Sequence, residues 1–163
     1  MRDQNFKNFI PLGKTFTTLA KLYLGVIADK LEHTGINRFF YALLVIHYEN
    51  NKITQQRLSD ILKTDKVTTV RVIDYLSKKG LVIREVNISD RREHLLLLTA
   101  KGKKIIPDLH RSYMEIEKEA LKGLSKKRVD DFYDCLHTVE SNLSGLPSRK
   151  VNIKFNSINK LKK

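Results

Sequence analysis

The sequence predicts a mainly α-helical fold with a small β-sheet of two to three strands. Apolar residues recur every three to four positions through most of the chain, which is the spacing of amphipathic helices. Only between residues 81 and 99 does the pattern change to two short strand-like runs on either side of a largely polar turn. The predicted order is therefore four helices, two strands and two further helices.

The two helices nearest the N-terminus differ in their apolar surface. The first is predicted over Leu12–Leu31, with one apolar face, and Thr34-Gly35 ends it. The second, Ile36–Tyr48, is apolar around nearly its whole circumference. A helix of that kind belongs at the centre of a domain.

Two short helices joined by a tight turn follow. Thr54 is a good N-cap for a helix over Gln55–Leu62, and a second helix is predicted over about Lys66–Lys79. Gly80 ends the second helix in the left-handed conformation, directly after cations that complement the negative helix end.

The C-terminal half begins with the predicted strands Leu81–Val86 and His94–Thr99. A long helix is then predicted from Ala100 to about Leu121, and Pro107 inside it is a potential kink. A last helix extends from Ser125 to Leu143.

The net charge of +13 favours a polyanionic partner, whether nucleic acid, ribosome or anionic membrane. The charge is unevenly distributed, because residues 54–111 carry +6 and residues 145–163 carry another +6, whereas residues 112–144 carry −2. No apolar run approaches the ~20 residues that a membrane span needs. We therefore expect a nucleic-acid partner and no membrane association.

Several other classes of protein are disfavoured. The N-terminus shows no secretory signal, and the lone Cys135 excludes an intrachain disulfide, so a cytoplasmic location is expected. The five histidines lack the paired spacing of a helical metal site, and no phosphate-binding loop or nucleophile elbow is present. The sequence thus predicts no enzyme, no catalytic residue, no metal and no cofactor. Cys135, next to Leu136, is predicted to be buried apolar filler.

A helix pair followed directly by a basic-tipped hairpin is typical of the winged helix-turn-helix. In such a unit the second helix enters the DNA major groove, and the hairpin, or wing, lies along the phosphates or in the neighbouring minor groove. We therefore expect the DNA-reading unit between Thr54 and Thr99.

The predicted DNA contacts lie at the start of the first helix of the pair, on the outer face of the second and in the wing. Arg71 can pair with guanine acceptors, Thr68 can contact a base or a phosphate, and Val67 can touch a thymine methyl group. Arg91 and Arg92 could also be an ordinary solvated pair at a polar turn. The full predicted set is Gln55, Gln56, Val67, Thr68, Arg71, Tyr75, Lys78, Arg84, Arg91 and Arg92.

Over Leu12–Leu143 the sequence resembles the MarR family of bacterial regulators. The most specific match is Asp90-x-Arg92 followed by Leu98-Thr99 and Gly102, the spacing of that family's wing and its junction with the next helix. Weaker matches surround it, and their order and spacing add to the resemblance: Asp65-Lys66, Arg71, Asp74, Leu76, Lys79-Gly80-Leu81-Val82, Arg84 and Gly123-Leu124-Ser125.

The resemblance implies a homodimer whose first and last two helices interlock. It also implies that Arg92 enters the minor groove, that Asp90 helps to structure the wing, and that a small ligand or oxidation relieves repression. The chain departs from the family at Val67, where a small polar residue is more usual. Cys135 does not match the N-terminal cysteine of the family's peroxide sensors, so oxidation sensing is not carried over.

The predicted organisation is a single domain over residues 1–144 with a basic tail over residues 145–163. The dimerisation helices are expected over about 6–33 and 100–144, on either side of a winged helix-turn-helix over about 36–99. Two alternatives stay open for the tail: a disordered arm that adds non-specific DNA affinity, or a short element packed on the body or on the partner subunit.

Two functions are compatible with these features. The first is a homodimeric, sequence-specific transcriptional regulator of a pseudo-palindromic DNA duplex, expected to act as a repressor released by a small-molecule effector. The second is a winged-helix module for protein–protein or ribosome contact, in which the basic faces are docking surface. Selective binding to the promoter of its own gene would distinguish the two.

Overall fold

The computed structural model describes residues 10–50, 52–88 and 90–147, and within them the chain is mainly helical with one small antiparallel sheet. The predicted fold class is confirmed. The elements in chain order are α1 (Leu12–Lys30), α2 (Phe40–Tyr48), β1 (Ile53–Thr54), α3 (Gln55–Ile61), α4 (Lys66–Lys78), β2 (Val82–Val86), β3 (His94–Leu98), α5 (Ala100–Ala120) and α6 (Lys126–Ser144).

Most boundaries lie within one or two residues of the predicted ones, and two features differ. Helix α2 begins at Phe40 and not at Ile36, because Phe39 adopts a left-handed backbone conformation with φ 63°. Strand β1 was not predicted as a strand, since two residues are too few to show an alternating pattern. Helix α5 runs uninterrupted through Pro107.

The sheet has the order β1-β3-β2, and both pairings are antiparallel. Strands β2 and β3 form a hairpin, in which Val82 pairs with Leu98 at the base and Val86 pairs with His94 towards the tip. The central strand β3 directs Leu96 and Leu98 into the core. The base of the hairpin is therefore anchored in the protein, while its tip extends away from it.

Helix α2 lies at the centre of the core, as its apolar circumference predicts. Six of its residues are buried, and Leu43 and Ile46 are fully inaccessible to solvent. It packs against α3, α5 and β3. Leu58 of α3 and Ile73 of α4 are also fully buried, so the helix pair is joined to the same core.

The terminal helices α1 and α6 cover little of the core. Helix α1 buries only Ile27 and Ala28, and α6 buries no residue. Several large apolar side chains on the two helices are exposed, among them Leu12, Leu19, Leu22, Val26, Phe132, Tyr133 and Leu143. The prediction that Cys135 is buried is wrong: it is exposed, on a helix that buries none of its residues.

A carboxylate on α5 joins the two terminal helices. Glu117 accepts hydrogen bonds from the Tyr23 hydroxyl of α1 at 2.8 Å and from the Tyr133 hydroxyl of α6 at 3.0 Å. Burial and the hydrogen bond to Glu117 raise the pKa of Tyr23 above its ordinary value, and burial raises the pKa of Tyr113 to about 12. The phenols therefore stay protonated and able to donate at any physiological pH.

The junction between the wing and α5 is closely packed, backbone against backbone. Thr99 caps α5 by accepting from the Gly102 amide at 3.0 Å, and its hydroxyl donates to the Gly80 carbonyl at 2.7 Å. A Cβ on Gly102 would lie 2.3 Å from the Leu81 carbonyl oxygen. Only glycine allows α5 to approach the end of α4 this closely.

Gly102→Ala is expected to lower the free energy of unfolding by about 2 kcal/mol or more, because backbone atoms must move to admit the methyl group. Urea denaturation followed by circular dichroism measures the change. Gly13→Ala is the control, since a Cβ there meets no atom within 4 Å and alanine is the better helix former. Equal stability of the two variants would contradict the close packing at this junction.

Candidate nucleic-acid interface

The turn between α3 and α4 is held by buried hydroxyl groups. The Ser59 hydroxyl donates to the Thr64 carbonyl at 2.7 Å, and the hydroxyls of Thr64 and Thr69 lie 2.9 Å apart. Lys63, with φ 50°, makes the left-handed step of the turn, and its ammonium group pairs with Glu140 of α6. These contacts fix the angle between the two helices of the pair.

Both ends of α4 are capped. The Asp65 carboxylate accepts from the Thr68 amide at 2.6 Å, which satisfies one of the free amides of the first turn. At the other end, Gly80 takes the left-handed conformation, and its amide and that of Leu81 donate to the Ser77 and Leu76 carbonyls. This is a Schellman motif. Helix α4 is thus a complete, well-terminated helix that can be presented as a rigid unit.

The face of α4 opposite the core carries the predicted contact residues. Thr69, Val72, Ile73 and Leu76 point inward and are buried. On the outer side, Val67 is 61% exposed, Arg71 and Lys78 are exposed, and Thr68 and Tyr75 are half-buried. The structure therefore brings the predicted α4 residues together on one accessible face.

Tyr75 makes more contacts than the sequence suggests. Its hydroxyl donates to the Asn37 side-chain oxygen at 3.0 Å, and its ring meets Phe39 edge to face at a centroid distance of 5.4 Å. The Arg38 guanidinium lies 4.5 Å from the centre of the Tyr75 ring. Tyr75 thus connects α4 to the segment that precedes α2.

The tip of the wing is organised by a side chain. The Asp90 carboxylate accepts from the Arg92 amide at 3.0 Å, and the Asn87 amide donates to the Glu93 carbonyl at the same distance. An aspartate that binds the amide two residues ahead forms a tight Asx turn. The side chains of Arg91 and Arg92 are exposed beside this turn.

Arg84 lies on β2 and pairs with α4. Its guanidinium is 2.7 Å from the Asp74 carboxylate, and one third of its side chain is exposed. The ion pair joins the second helix of the pair to the wing. The structure therefore places Arg84 in a bridge within the unit, with part of its side chain at the surface.

The two glutamines begin α3. Gln55 is half-buried and Gln56 is exposed, and the Gln56 amide nitrogen donates to Asp60 one turn later at 2.8 Å. Arg57 in the same turn lies 3.6 Å from Glu49. Gln55 and Gln56 therefore lie at the start of α3 and are separate from the exposed face of α4.

Four of the cations predicted to contact DNA have no acidic partner among the described residues. No carboxylate there lies within 4.0 Å of the charged groups of Arg71, Lys78, Arg91 or Arg92. Acidic Asp60 and Asp74 are engaged by Gln56 and Arg84. The outer surface of the unit therefore presents cations that are not paired within it, which suits the phosphates of a nucleic acid.

Other kinds of site find no counterpart in the described part of the chain. No group of three histidine, cysteine, aspartate or glutamate side chains is arranged to hold a metal ion. None of the described helices combines the length and the hydropathy that a membrane span requires.

A capped helix pair joined to a three-stranded sheet with a basic hairpin tip defines a winged helix-turn-helix protein. The MarR family profile matches residues 40–93. The HTH-type transcriptional regulator YybA of Bacillus subtilis (strain 168) is 31% identical over 128 residues, which cover 74% of this chain and 85% of that protein.

Solved structures that superimpose on this chain are also MarR family regulators. A MarR transcriptional regulator from Methanosarcina mazei Go1 is 31% identical and superimposes with a TM-score of 0.71, over 83% of this chain and 98% of that one. A MarR family regulator from Listeria monocytogenes, complexed with 26mer DNA, is 27% identical with a TM-score of 0.73, over 83% and 91% of the two chains.

The chain belongs to the MarR family of transcriptional regulators. The predicted resemblance is confirmed, and so is the prediction of a regulator and not an enzyme. The individual DNA contacts stay predictions, as do the domain limits. Residues 148–163 of the predicted basic tail and residues 6–9 of the predicted N-terminal dimerisation segment lie outside the described residues.

Sequence reasoning missed two groups of residues in this interface. Ser59 was not recognised as part of the turn, because a serine on a short helix has no distinctive pattern. Arg38 was not considered, because it precedes an apolar helix and lies far in sequence from α4. Its contact with Tyr75 spans more than 35 residues and depends on the tertiary fold.

The N-cap of α4 gives a direct test of how this helix is held. Asp65→Ala is expected to lower the free energy of unfolding by about 1 kcal/mol, because the Thr68 amide loses its acceptor. Asp65→Ser is the matched control, since serine is also a strong N-cap. Thermal unfolding measures both variants, and an alanine variant as stable as the serine variant would show that the cap adds nothing.

Proposed function

We propose that this protein is a homodimeric, sequence-specific DNA-binding repressor that acts in the cytoplasm and is released from DNA by a small ligand. The observation that carries the proposal is the set of unpaired cations on a single rigid unit: Arg71 and Lys78 on the outer face of α4, and Arg91 and Arg92 on the wing. Such a surface serves DNA better than a protein partner, because an acidic duplex supplies the missing counter-charge along its whole length.

In the proposed complex, α4 lies in the major groove. Arg71 pairs with guanine, Thr68 contacts a base or phosphate, and Val67 meets a thymine methyl group. Lys78, at the C-terminal end of the helix, contacts phosphate. Gln55 and Gln56 hold the backbone from the start of α3, where they fix the register without reading sequence.

The wing completes the contact. Arg92 enters the minor groove beside α4, and Arg91 contacts the phosphates at its edge. The Asx turn at Asp90 supports this role, because it fixes the backbone from which the Arg92 side chain extends. The Arg84–Asp74 ion pair holds wing and helix at a constant separation, so that both grooves are engaged together.

The homodimer is supported by the open faces of the terminal helices. Leu19 and Leu22 of α1 and Leu143 of α6 are each more than half exposed in the single chain. Phe16 and the C-terminal half of α6 border an open apolar groove, whose lining includes Leu136, Val139 and Leu143. Contiguous exposed apolar surface of this kind is typical of a protein–protein interface. Two-fold pairing would present two α4 helices to a pseudo-palindromic site.

Repression follows from occupancy, because a dimer bound over a promoter excludes polymerase. For release, we propose that a small ligand binds between α2 and α5. A cleft there is lined by His47 and Tyr48 from α2 and by Lys103, Ile106 and Met114 from α5. A ligand in this cleft would change the position of α2 relative to α5, and the DNA-reading unit packs on α2 through α3 and β3.

DNA binding is tested with the promoter region upstream of the protein's own gene. The wild-type protein is expected to bind it with a Kd on the order of 10⁻⁸ M, more tightly than random duplex and with strong salt dependence. Arg92→Ala should weaken binding while the dimer persists. Arg128→Ala on α6 is the matched control, since it removes the same charge away from the unit. No preference for the promoter over random duplex at moderate salt would refute the proposal.

The dimer is tested with a charge placed on α6. Leu143→Glu is expected to convert the protein to monomers, because a carboxylate would be buried against the partner subunit. Ser141→Glu, on the opposite side of the helix, should leave the dimer intact. Light scattering coupled to gel filtration gives the masses. A wild-type protein that elutes as a monomer, or a Leu143→Glu variant that stays dimeric, would contradict the proposed interface.

A further inference from the structure

The segment before α2 joins the exposed face of α4 through three side chains. Arg38 lies over the Tyr75 ring, with its guanidinium carbon 4.5 Å from the ring centre, and it is 5.1 Å from the centre of the Phe39 ring. The Asn37 side chain accepts from the Tyr75 hydroxyl at 3.0 Å, and the Asn37 amide approaches the same hydroxyl at 3.4 Å. We call Asn37, Arg38, Phe39 and Tyr75 the Arg38 cluster.

The Tyr75 hydroxyl is already engaged by this cluster. It donates to Asn37 and accepts from the Asn37 amide, so donating to a base would require its bond to the Asn37 side chain to break. Its ring is covered on one side by Arg38 and is also 5.9 Å from the Lys79 ammonium group. Tyr75 is therefore better suited to hold a neighbouring cation than to contact a base itself.

The Arg38 guanidinium lies over the Tyr75 ring, with its carbon 4.5 Å from the ring centre. Stacking on an aromatic ring uses the flat face of a guanidinium, whereas its N–H groups point outward in the plane and bind phosphate in pairs. The Arg38 side chain is exposed, and no carboxylate in the described ranges lies within 4.0 Å of it. Its charge and its donors are both available.

The position of Arg38 is also well defined. Phe39 adopts a left-handed conformation that bulky residues rarely take, and its edge-to-face contact with Tyr75 accompanies this backbone turn. Helix α2 then begins at Phe40 without a side-chain cap or an acidic residue in its first turn. An anion beside Arg38 would therefore also lie near a helix N-terminus, which favours negative charge.

Tyr75 lies about one turn after Arg71 and about two turns after Thr68, on the same face of α4. The Arg38 cluster therefore lies directly beside the surface proposed to enter the major groove. In the proposed complex, the Arg38 guanidinium would lie at the rim of the DNA major groove, where it would face the phosphates that border the groove.

We infer that Arg38 is a DNA-backbone contact, and that Tyr75 is a positioning residue that holds Arg38 against the phosphate and does not read a base. This inference rests on the proposed DNA-binding function. It extends the interface beyond residues 54–99 to the start of α2, and it assigns Tyr75 a different role from the predicted one.

The test uses the full-length protein with two duplexes of equal length, the promoter of its own gene and a random sequence. Arg38→Ala is expected to weaken binding to both duplexes by the same factor, about tenfold, and to reduce the slope of log K against log salt by about 1. Arg38→Lys should recover the salt slope but only part of the affinity, because lysine keeps the charge without the planar stack. Arg128→Ala should match the wild type in both measurements.

Tyr75 is tested by a double-mutant cycle. Tyr75→Ala should weaken binding in the wild-type background and have little further effect in Arg38→Ala, since it acts through that residue. Tyr75→Phe keeps the ring and should lose little. A Tyr75→Ala loss confined to the promoter duplex, and equal in both backgrounds, would show that Tyr75 reads a base and would overturn its assigned role.

The outcomes separate this inference from the proposed function. Wild-type binding to the promoter with an Arg38→Ala variant of unchanged affinity and salt slope overturns the Arg38 contact alone. A wild-type protein that does not prefer its promoter refutes the proposed function, and the inference fails with it. Should Arg38→Ala prove less stable in thermal unfolding, Arg38→Gln, which keeps a polar side chain of similar length, serves for the same comparison.

Discussion

The burial of α2 is the constraint on which the rest of the structure depends. A helix with six buried residues out of nine must be surrounded, and α3, α5 and β3 are the elements that surround it. Each of them buries one face against α2 and leaves the other to solvent. Helix α4 packs on α3 and β2 and is joined to this centre through them. It presents Arg71 and Lys78 outward because Ile73 and Leu76 are buried inward.

Rigidity of the unit comes from polar contacts at the ends of its elements. The Asp65 cap, the Schellman motif at Gly80 and the hydrogen bond from the Thr99 hydroxyl to the Gly80 carbonyl all lie where backbone groups would otherwise lack partners. Each such contact contributes modestly, about 1 kcal/mol. Their value for function is geometric, since they set the angle of α4 and the direction of the wing, and a protein that reads two grooves needs both to be constant.

Local features of the fold could be predicted from the sequence, and contacts between distant residues could not. The helix caps, the Gly80 that ends α4 and the strand pair are visible in the sequence because each depends on a few neighbouring residues.

The start of α2 was misplaced because the left-handed Phe39 is stabilised by Tyr75, far along the chain. The burial of Cys135 was predicted wrongly because a periodic apolar helix was assumed to bury its residues within the same chain, whereas α6 buries none of them. The residues of the α4 face could be named from helical spacing, but the engagement of Tyr75 by Asn37 and of Arg84 by Asp74 could not.

The misplaced start of α2 and the wrongly predicted burial of Cys135 point to the same division in the molecule. Where the chain folds on itself, in α2 to β3, long-range contacts refine what the local pattern predicts. In α1, which buries two residues, and α6, which buries none, the apolar pattern is present with little of the burial that normally explains it. Exposed apolar side chains at helical spacing are costly in water, and the proposed dimer would cover them. The acidic balance of residues 112–144 accords with that proposal, because a segment that pairs with a second copy away from DNA has no need of positive charge.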